Sequence, residues 1–177
     1  MIKRAIEPDF REELQMNRST TETQLIGPVL ALDLGEKLVG AAISDDRLIT
    51  IKRLAPLKRT NWKRLLLDVE ALIRDFDAQM LVIGLPLRLD GTIGSAALEV
   101  ERMARNFAKS LKLEVYLQDE RLTSFDARQA LLSEGHADSE IPSLIDGEAA
   151  ALILRDILSA PEPRHLITEQ PSDSNSN

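Results

Sequence analysis

An aspartate, Asp33, stands in the middle of a short apolar run, Val29 to Leu34. Such a run is typical of a buried strand, where an ionised carboxylate is costly unless a metal ion, a ligand or a basic group compensates it. Gly35 comes two residues later, and a residue without Cβ lets a ligand or a tight turn approach the backbone closely. A turn-capping aspartate at a strand end is the simpler alternative. Because unpaired buried charge is rare, the segment favours a functional carboxylate.

Further acids occur where later elements begin or end. Asp119 and Glu120 close the last predicted strand, and Asp146 lies in the first turn of the last predicted helix. The carboxyl ends of strands with helical crossovers form the sheet edge at which such proteins place their ligands. Each acid also has a structural alternative, since Asp146 suits a helix N-terminus and Asp119 or Glu120 can pair with Arg121. Together with Asp33, however, all of them can converge on one end of the sheet.

Converging carboxylates make a site of hard oxygen ligands, which suits Mg²⁺ or Mn²⁺. Two such ions roughly 3.5–4 Å apart can activate a water molecule and stabilise the departing oxygen during phosphodiester cleavage. The two histidines, His136 and His165, are not spaced as zinc ligands, and nothing supports a Ser–His–Asp arrangement. The sequence therefore predicts a site for one or two ions whose candidate ligands are Asp33, Asp119, Glu120 and Asp146.

The apolar periodicity gives the order of the elements that must position these acids. The predicted order is three strands (29–34, 38–44, 48–54), a helix (62–76), a strand (80–83), a helix after residue 94, a strand (114–118) and two helices (123–135, 144–158). Three antiparallel strands followed by alternating helices and strands predict a mixed α/β sheet with helices on its faces. That order resembles the RNase H-like fold.

Composition bounds the class of protein. The 177 residues suffice for one domain, predicted at 29–160 between a flexible N-terminal extension (1–28) and a disordered, proline-containing C-terminal tail (161–177). The absence of cysteine excludes disulfides and thiolate chemistry and suits a reducing cytoplasm. No apolar stretch approaches the ~18 residues that span a bilayer, and the N-terminus lacks a signal core. A cytoplasmic protein without a membrane partner is therefore expected.

The net charge of −7 argues against a protein that coats DNA without sequence preference. Between Arg47 and Arg64, however, lie seven basic residues and no acid, among them Lys52 and Arg53. A solvated surface is the simpler interpretation, but beside an acidic site the same residues can position a phosphate backbone.

The glycine-containing loop from Gly84 to Gly94 leads from a strand into a helix N-terminus, whose amides can bind an anion. Arg88 and Thr92 in this loop are candidate phosphate contacts; the alternative is an ordinary capped helix start on a mobile surface loop.

Four motifs occur in order along the folded part of the chain. They are Leu32-Asp33-Leu34-Gly35 with Lys37, Gly40, Ala42 and Ser44-Asp45; Val82-Ile83-Gly84-Leu85-Pro86 with Asp90-Gly91-Thr92 and Gly94; Asp119-Glu120-Arg121-Leu122-Thr123-Ser124; and Ile145-Asp146 with Ala149-Ala150. Together they resemble the YqgF/RuvX family, which comprises Holliday junction resolvase-like proteins that are also described as pre-16S rRNA nucleases. The resemblance covers residues 29–158, and Leu38 and Ser124 depart from the family pattern at positions that bear on substrate contacts.

The resemblance implies a bacterial, cytoplasmic, RNase H-like nuclease that trims the 5′ end of pre-16S rRNA during ribosome biogenesis. Its catalytic acids would be Asp33, Glu120 (or Asp119) and Asp146, with Mg²⁺ or Mn²⁺ in a two-metal-ion mechanism. Nucleic acid is the expected partner, and ribosome-assembly components are further candidates. The expected substrate-binding residues are Lys37, Lys52, Arg53, Arg88, Thr92 and Arg121.

Alternatives remain at this point. The same chemistry suits branched DNA, because no base-reading element separates an RNA substrate from a Holliday junction. A non-catalytic module that binds RNA or ribosome-assembly components is a second alternative, although a phosphate-binding surface gains nothing from clustered carboxylates. Sugar kinases and actin-like ATPases carry a similar strand motif, but they need two such domains, and ~130 folded residues make about one.

Overall fold

The structure is a computed structural model that describes residues 25–120, 123–159 and 165–167. Its elements follow the predicted succession, with two additional short strands, one before the first helix and one after the last. In chain order they are β1 (Val29–Leu34), β2 (Leu38–Ser44), β3 (Ile51–Arg53), β4 (Leu57–Lys58), α1 (Trp62–Phe76), β5 (Met80–Leu85), α2 (Ser95–Ser110), β6 (Glu114–Asp119), α3 (Thr123–Ser133), α4 (Ile141–Ser159) and β7 (His165–Ile167).

The strands form one mixed sheet in the order β3-β2-β1-β5-β6-β7, and β4 also pairs with β2. The pairs β1–β2 and β2–β3 are antiparallel, whereas β5 runs parallel to β1 and β6 runs parallel to β5. The parallel connections pass through helices, as parallel pairing requires. This arrangement is the predicted RNase H-like sheet, and it brings the carboxyl ends of β1, β5 and β6 to one edge.

Side chains of β1 alternate between two core layers, one on each face of the sheet. Leu30, Leu32 and Leu34 belong to a layer that includes Leu65 of α1 and Phe107 of α2. Val29 and Ala31 belong to a second layer, which includes Ile153 and Leu154 of α4. Asp33 continues the second set, so its carboxylate lies on the face that α4 covers.

Two helices or strands differ in their bounds from the sequence-based prediction in ways that bear on the site. The predicted third strand, 48–54, is shorter, because the Asp45 carboxylate accepts hydrogen bonds from the backbone N–H of Ile49 (2.7 Å) and Thr50 (2.8 Å) and closes a turn there. Helix α4 begins at Ile141 rather than at residue 144. As a result, Asp146 lies in the second turn of the helix and not in the first.

Strand β7 lies inside the segment 161–177 that composition assigned to a disordered tail, so that assignment is wrong for residues 165–167. Leu166 pairs with Tyr116 at the free edge of β6, and Ile167 is buried. A three-residue strand between polar, proline-containing stretches gives no periodic signal, and here the open edge supplies its hydrogen bonds. Most of the predicted N-terminal extension lies outside the described residues, and the domain boundaries at 29 and 160 stay predictions.

No helix in the described ranges is long and apolar enough to cross a bilayer.

Candidate active site

Asp33 lies between two glycines on the neighbouring strands. In β2 its direct partner is Gly40, and in β5 the pairing of Leu32 with Ile83 places Gly84 beside it. Because neither glycine carries a side chain, the α4 face of the sheet is open on both sides of the Asp33 carboxylate. The two glycines thus create the space into which the other acids are brought.

Gly40 brings Asp146 to this space. A Cβ on Gly40 would lie 1.9 Å from the backbone oxygen of Asp146, so the second turn of α4 rests directly on the backbone of β2. The two carboxylates interact, since the charge of Asp146 contributes to a raised pKa at Asp33. The close helix–strand contact therefore fixes Asp146 beside Asp33.

Gly84 makes room for Glu120. A Cβ on Gly84 would lie 1.9 Å from Oε2 of Glu120 and 2.6 Å from Cδ1 of Ile153, so the carboxylate fills the gap between β5 and α4. Within the described part of the chain, this buried Oε2 atom has no hydrogen-bond partner. A buried oxygen without a partner costs free energy, and native proteins seldom keep one without a reason. Coordination of a cation is the reason that fits an oxygen aimed at other carboxylates.

Burial and mutual repulsion raise the pKa values of the central acids. Burial, and next the charge of Asp146, raise the pKa of Asp33 to about 6. Burial, and next the charges of Asp33 and Asp119, raise the pKa of Glu120 to about 8. Both effects disfavour the ionised forms in the metal-free protein. A bound divalent cation would reverse this balance, because it supplies the missing positive charge.

The structure distinguishes Glu120 from its neighbour. Along β6, Leu117 belongs to the core under α1 and α2, whereas Tyr116 belongs to the core under α4. Strand alternation puts Asp119 with the first set and Glu120 with the second, and the contacts of Glu120 with Gly84 and Ile153 agree. Glu120 is thus the acid on the face of Asp33, and Asp119 acts on it as a nearby charge.

The donor set fits a hard divalent cation, because all the converging groups are carboxylates and one buried oxygen finds no hydrogen-bond partner in the described part of the chain. Across the described ranges, no three acidic or histidine side chains form a ready-made metal cage. Carboxylates without a counter-charge repel each other, so a cation would favour their closer approach. The residues that would hold it are Asp33, Glu120 and Asp146, with Asp119 beside Glu120.

Comparison with known proteins identifies the family of this chain. The model of the RuvX family, described as Holliday junction resolvase, matches residues 27–160. This chain belongs to the RuvX family. The membership inferred from the four motifs is therefore confirmed.

Two curated relatives and one solved structure illustrate the similarity of this RuvX protein. A protein of Synechococcus elongatus named "Putative pre-16S rRNA nuclease" is 37% identical over 142 residues, 80% of this chain and 95% of that protein. A protein of the same name from Trichormus variabilis is 39% identical over 126 residues, 71% of this chain and 83% of that protein. The complex of Fowlpox virus resolvase with its substrate Holliday junction DNA has a TM-score of 0.47 at 15% identity, covering 75% of this chain and 97% of that one.

The predicted substrate-binding residues of this RuvX protein lie in different surroundings. Lys37 is exposed in the β1–β2 turn, at the same sheet edge as the acids. In the loop from 84 to 94, the Thr92 hydroxyl donates to Oδ1 of Asp90 (2.6 Å), and the Arg88 N–H donates to the Thr92 carbonyl (2.9 Å). The loop thus holds its own shape, and the Thr92 proton is directed at Asp90. Arg121 lies outside the described residues.

Lys52 is not brought together with the acids. It pairs with Ile43, three positions along β2 from Gly40, which corresponds to about 10 Å of strand. Its ammonium group lies 5.7 Å from the centroid of the Phe76 ring, at the far end of α1. The basic stretch inferred from sequence is therefore not one continuous surface at the acidic edge.

Arg53 is engaged with carboxylates of the protein itself. Its Nη1 donates to Oε2 of Glu148 (2.8 Å) and to Oε2 of Glu134 (3.1 Å). The Glu148 side chain is only 3% exposed, and its second oxygen, Oε1, has no partner among the described residues. Sequence reasoning missed this acid, which lies two residues after Asp146. Its only signal was a glutamate on the apolar side of a helix.

We expect Arg53→Ala to destabilise the fold rather than to weaken substrate binding directly. The substitution would leave the buried Glu148 carboxylate without its cation, a loss on the order of 2 kcal/mol once the half-exposed position of Arg53 is allowed for. Chemical denaturation measures this loss, and the double variant Arg53→Ala/Glu148→Leu should recover most of it. If RNA binding by the stable double variant depended less on salt concentration than binding by the parent protein, this would support the predicted contact of Arg53 with the RNA phosphate backbone.

The raised pKa of Glu120 predicts how the stability of the metal-free protein depends on pH. An acid whose folded-state pKa, about 8, exceeds its ordinary value of 4.5 binds more protons in the folded state than in the unfolded state between those values. The free energy of unfolding in EDTA should therefore fall as the pH rises from about 4.5 to 8. Denaturation at both ends of this window measures the slope, which Glu120→Gln should flatten. If the free energy of unfolding of Glu120→Gln fell equally steeply with pH, the pH dependence would arise from other groups.

Proposed function

We propose that this RuvX protein is a metal-dependent nuclease that hydrolyses phosphodiester bonds in pre-16S rRNA. The observation that carries the proposal is the buried Oε2 of Glu120, which has no hydrogen-bond partner among the described residues and lies on the same face of the sheet as Asp33. A structural ion pair would have satisfied this oxygen with a basic group. The names of the curated relatives support the choice of pre-16S rRNA as the substrate.

Three different elements of the fold hold the three acids that would bind the metal ions. Asp33 is held on a central strand, Asp146 on a helix that rests on β2, and Glu120 at the end of β6. Rigid elements of this kind keep ligands in a fixed geometry, which reactive sites require. When bound, one or two Mg²⁺ or Mn²⁺ ions would activate water and stabilise the charge on the departing oxygen. The exposed Lys37 lies at the same edge and would contact the RNA backbone.

The test is to incubate the purified protein with pre-16S rRNA that carries its 5′ extension, in Mg²⁺, Mn²⁺ or EDTA. We expect cleavage with either ion and none in EDTA, and the products should map to the 5′ side of the mature rRNA. Cleavage that continues in EDTA would contradict the metal-dependent mechanism. If the protein bound the RNA but cleaved it in none of these three conditions, the result would favour the non-catalytic, ribosome-assembly interpretation.

A second candidate function is the resolution of Holliday junctions, which the description of the family favours. The same reactions with a four-way DNA junction distinguish it from the first. Faster cleavage of the junction than of the RNA, with paired nicks in opposing strands, would reassign the substrate while leaving the metal site unchanged. Either substrate fits the predicted cytoplasmic location, which was expected because a chain without cysteine suits a reducing compartment.

A further inference from the structure

A groove, which we call the Trp62 groove, lies on the face of the sheet that α1 and α2 cover, opposite to the face of Asp33 and α4. It has a volume of about 720 Å³ and is bordered by the β1–β2 turn, the start of α1 and the exposed side of α2. A volume of this size is typical of sites for small ligands or single nucleotides. Glu36 on its rim is three residues from Asp33, at most about 11 Å along the chain. One nucleic acid strand can therefore contact both places.

The groove has an aromatic wall with a fixed orientation. The Trp62 ring packs against Phe107, with the ring centroids 4.7 Å apart and the planes tilted by 56°. The side chain of Asn61 caps α1 by accepting a hydrogen bond from the Arg64 N–H (2.9 Å), which fixes the helix start that carries Trp62. Because the ring is already held in place, stacking of a ligand upon it would cost little conformational entropy.

Two polar side chains of α2 line the groove without partners of their own. Arg102 and Asn106 are one helical turn apart, so they present a guanidinium and an amide side by side. Neither side chain makes a hydrogen bond or ion pair within the described ranges. Arg59 differs, because it donates to the Gly35 carbonyl (3.0 Å) and pairs with Glu99. Arg59 is thus part of the wall, while Arg102 and Asn106 have free hydrogen-bonding capacity.

The charge of the groove indicates which part of a nucleotide it suits. Its two arginines, Arg59 and Arg102, are balanced by Glu36 and Glu99, so it does not resemble a phosphate-binding surface, which needs excess positive charge. An indole face, an amide and a guanidinium are instead the groups that proteins use to stack an unpaired base and bond its edge.

We propose that the Trp62 groove binds one unstacked base of the RNA strand that is cleaved at the acids across the sheet edge. This inference rests on the proposed nuclease function for its substrate class. Base binding here would fix the position of the strand relative to Asp33, and it would make cleavage depend on the base at that position.

The only tryptophan of the chain is Trp62, so its fluorescence reports on the groove directly. We expect a saturable change in emission when short single-stranded RNA is added in EDTA, where no cleavage occurs. Homopolymers of the four bases should differ in affinity. Mononucleotides provide the second arm, because a response to them without a response to RNA would overturn the strand-binding subsite in favour of a free nucleotide site.

Substitutions on α2 test the assignment without disturbing the core. Arg102→Ala and Asn106→Ala should each raise the Kd for RNA by about two- to tenfold, the loss of one or two hydrogen bonds. Alanine favours a helix, so folding should be unaffected. Lys109→Ala, exposed on α2 but outside the groove, is the matched control and should leave the Kd unchanged. No fluorescence response, or equal Kd values in all three variants, would overturn the subsite.

The outcome is separable from that of the nuclease proposal. If the parent protein cleaves RNA and the groove variants bind RNA as tightly as the parent protein does, only the base-binding subsite is overturned. A fluorescence response that depends on Arg102 and Asn106, in a protein that cleaves no RNA, would support the subsite and contradict the nuclease proposal.

Discussion

Replacing Asp33 by asparagine is expected to abolish cleavage while leaving the metal-free protein as stable as the parent, or more stable. Asp33 is the carboxylate between Gly40 and Gly84, and its pKa is raised to about 6 first by burial and then by Asp146. Asparagine has nearly the same shape but no charge, so it removes the repulsion from Asp146 and Glu120. The same change removes a ligand that a cation needs, so activity and stability should move in opposite directions.

Two measurements on the same preparation check this prediction. Cleavage of pre-16S rRNA in Mg²⁺ or Mn²⁺ should fall below detection, and denaturation in EDTA at pH 8 should show an equal or higher free energy of unfolding. Asp75→Asn, an exposed aspartate on α1, is the matched control and should change neither quantity appreciably. Full activity in Asp33→Asn would refute the metal-nuclease mechanism.

The positions of the acids followed from sequence because each one interrupts or ends a periodic apolar segment. Asp33 stood out within the run that became β1, and Asp146 within the run that became α4, since hydrophobic period determines which segments are buried. Sheet order put Asp33 at the edge where the parallel strands end, and the contact of α4 with β2 at Gly40 brought Asp146 to the same edge.

The choice between Asp119 and Glu120 needed the structure. Two adjacent residues at a strand end point to opposite faces, and a one-residue uncertainty in the strand boundary exchanges them. The contact of Glu120 with Gly84 and Ile153 removes that uncertainty. Sequence motifs named both acids but carried no information about which face each one occupies.

The basic residues were less predictable than the acids, because their partners lie far away in the chain. Arg53 pairs with Glu148, 95 residues later, and a single sequence does not reveal such a pair. Lys52 and Arg53 are adjacent in sequence but point to opposite faces of β3, as alternation requires. A run of positive charge along a strand is therefore split between two surfaces, and neither half needs to face the substrate.

Alanine at Gly40 should destabilise the protein strongly and remove activity, whereas alanine at Gly84 should remove activity at a smaller cost in stability. The Cβ of Gly40→Ala would lie 1.9 Å from the backbone oxygen of Asp146 and 2.6 Å from its carbonyl carbon. The backbone of a buried helix cannot move locally to relieve this contact, so the whole of α4 would have to shift away from β2. Overpacking of this kind costs about 1–3 kcal/mol or more, and it displaces Asp146.

At Gly84 the new Cβ would meet the ends of two flexible side chains, Oε2 of Glu120 at 1.9 Å and Cδ1 of Ile153 at 2.6 Å. These ends can rotate away, so the fold should survive while the Glu120 carboxylate leaves its place. Gly147→Ala is the matched control, because its nearest neighbour is the Leu54 oxygen at 3.4 Å and alanine favours a helix interior. Denaturation and cleavage assays on the three variants should show Gly147→Ala active and unchanged or slightly stabilised, Gly84→Ala inactive but folded, and Gly40→Ala the least stable. An active Gly84→Ala protein would show that the position of Glu120 over β5 is not required for cleavage, and the role of this acid would then have to pass to Asp119.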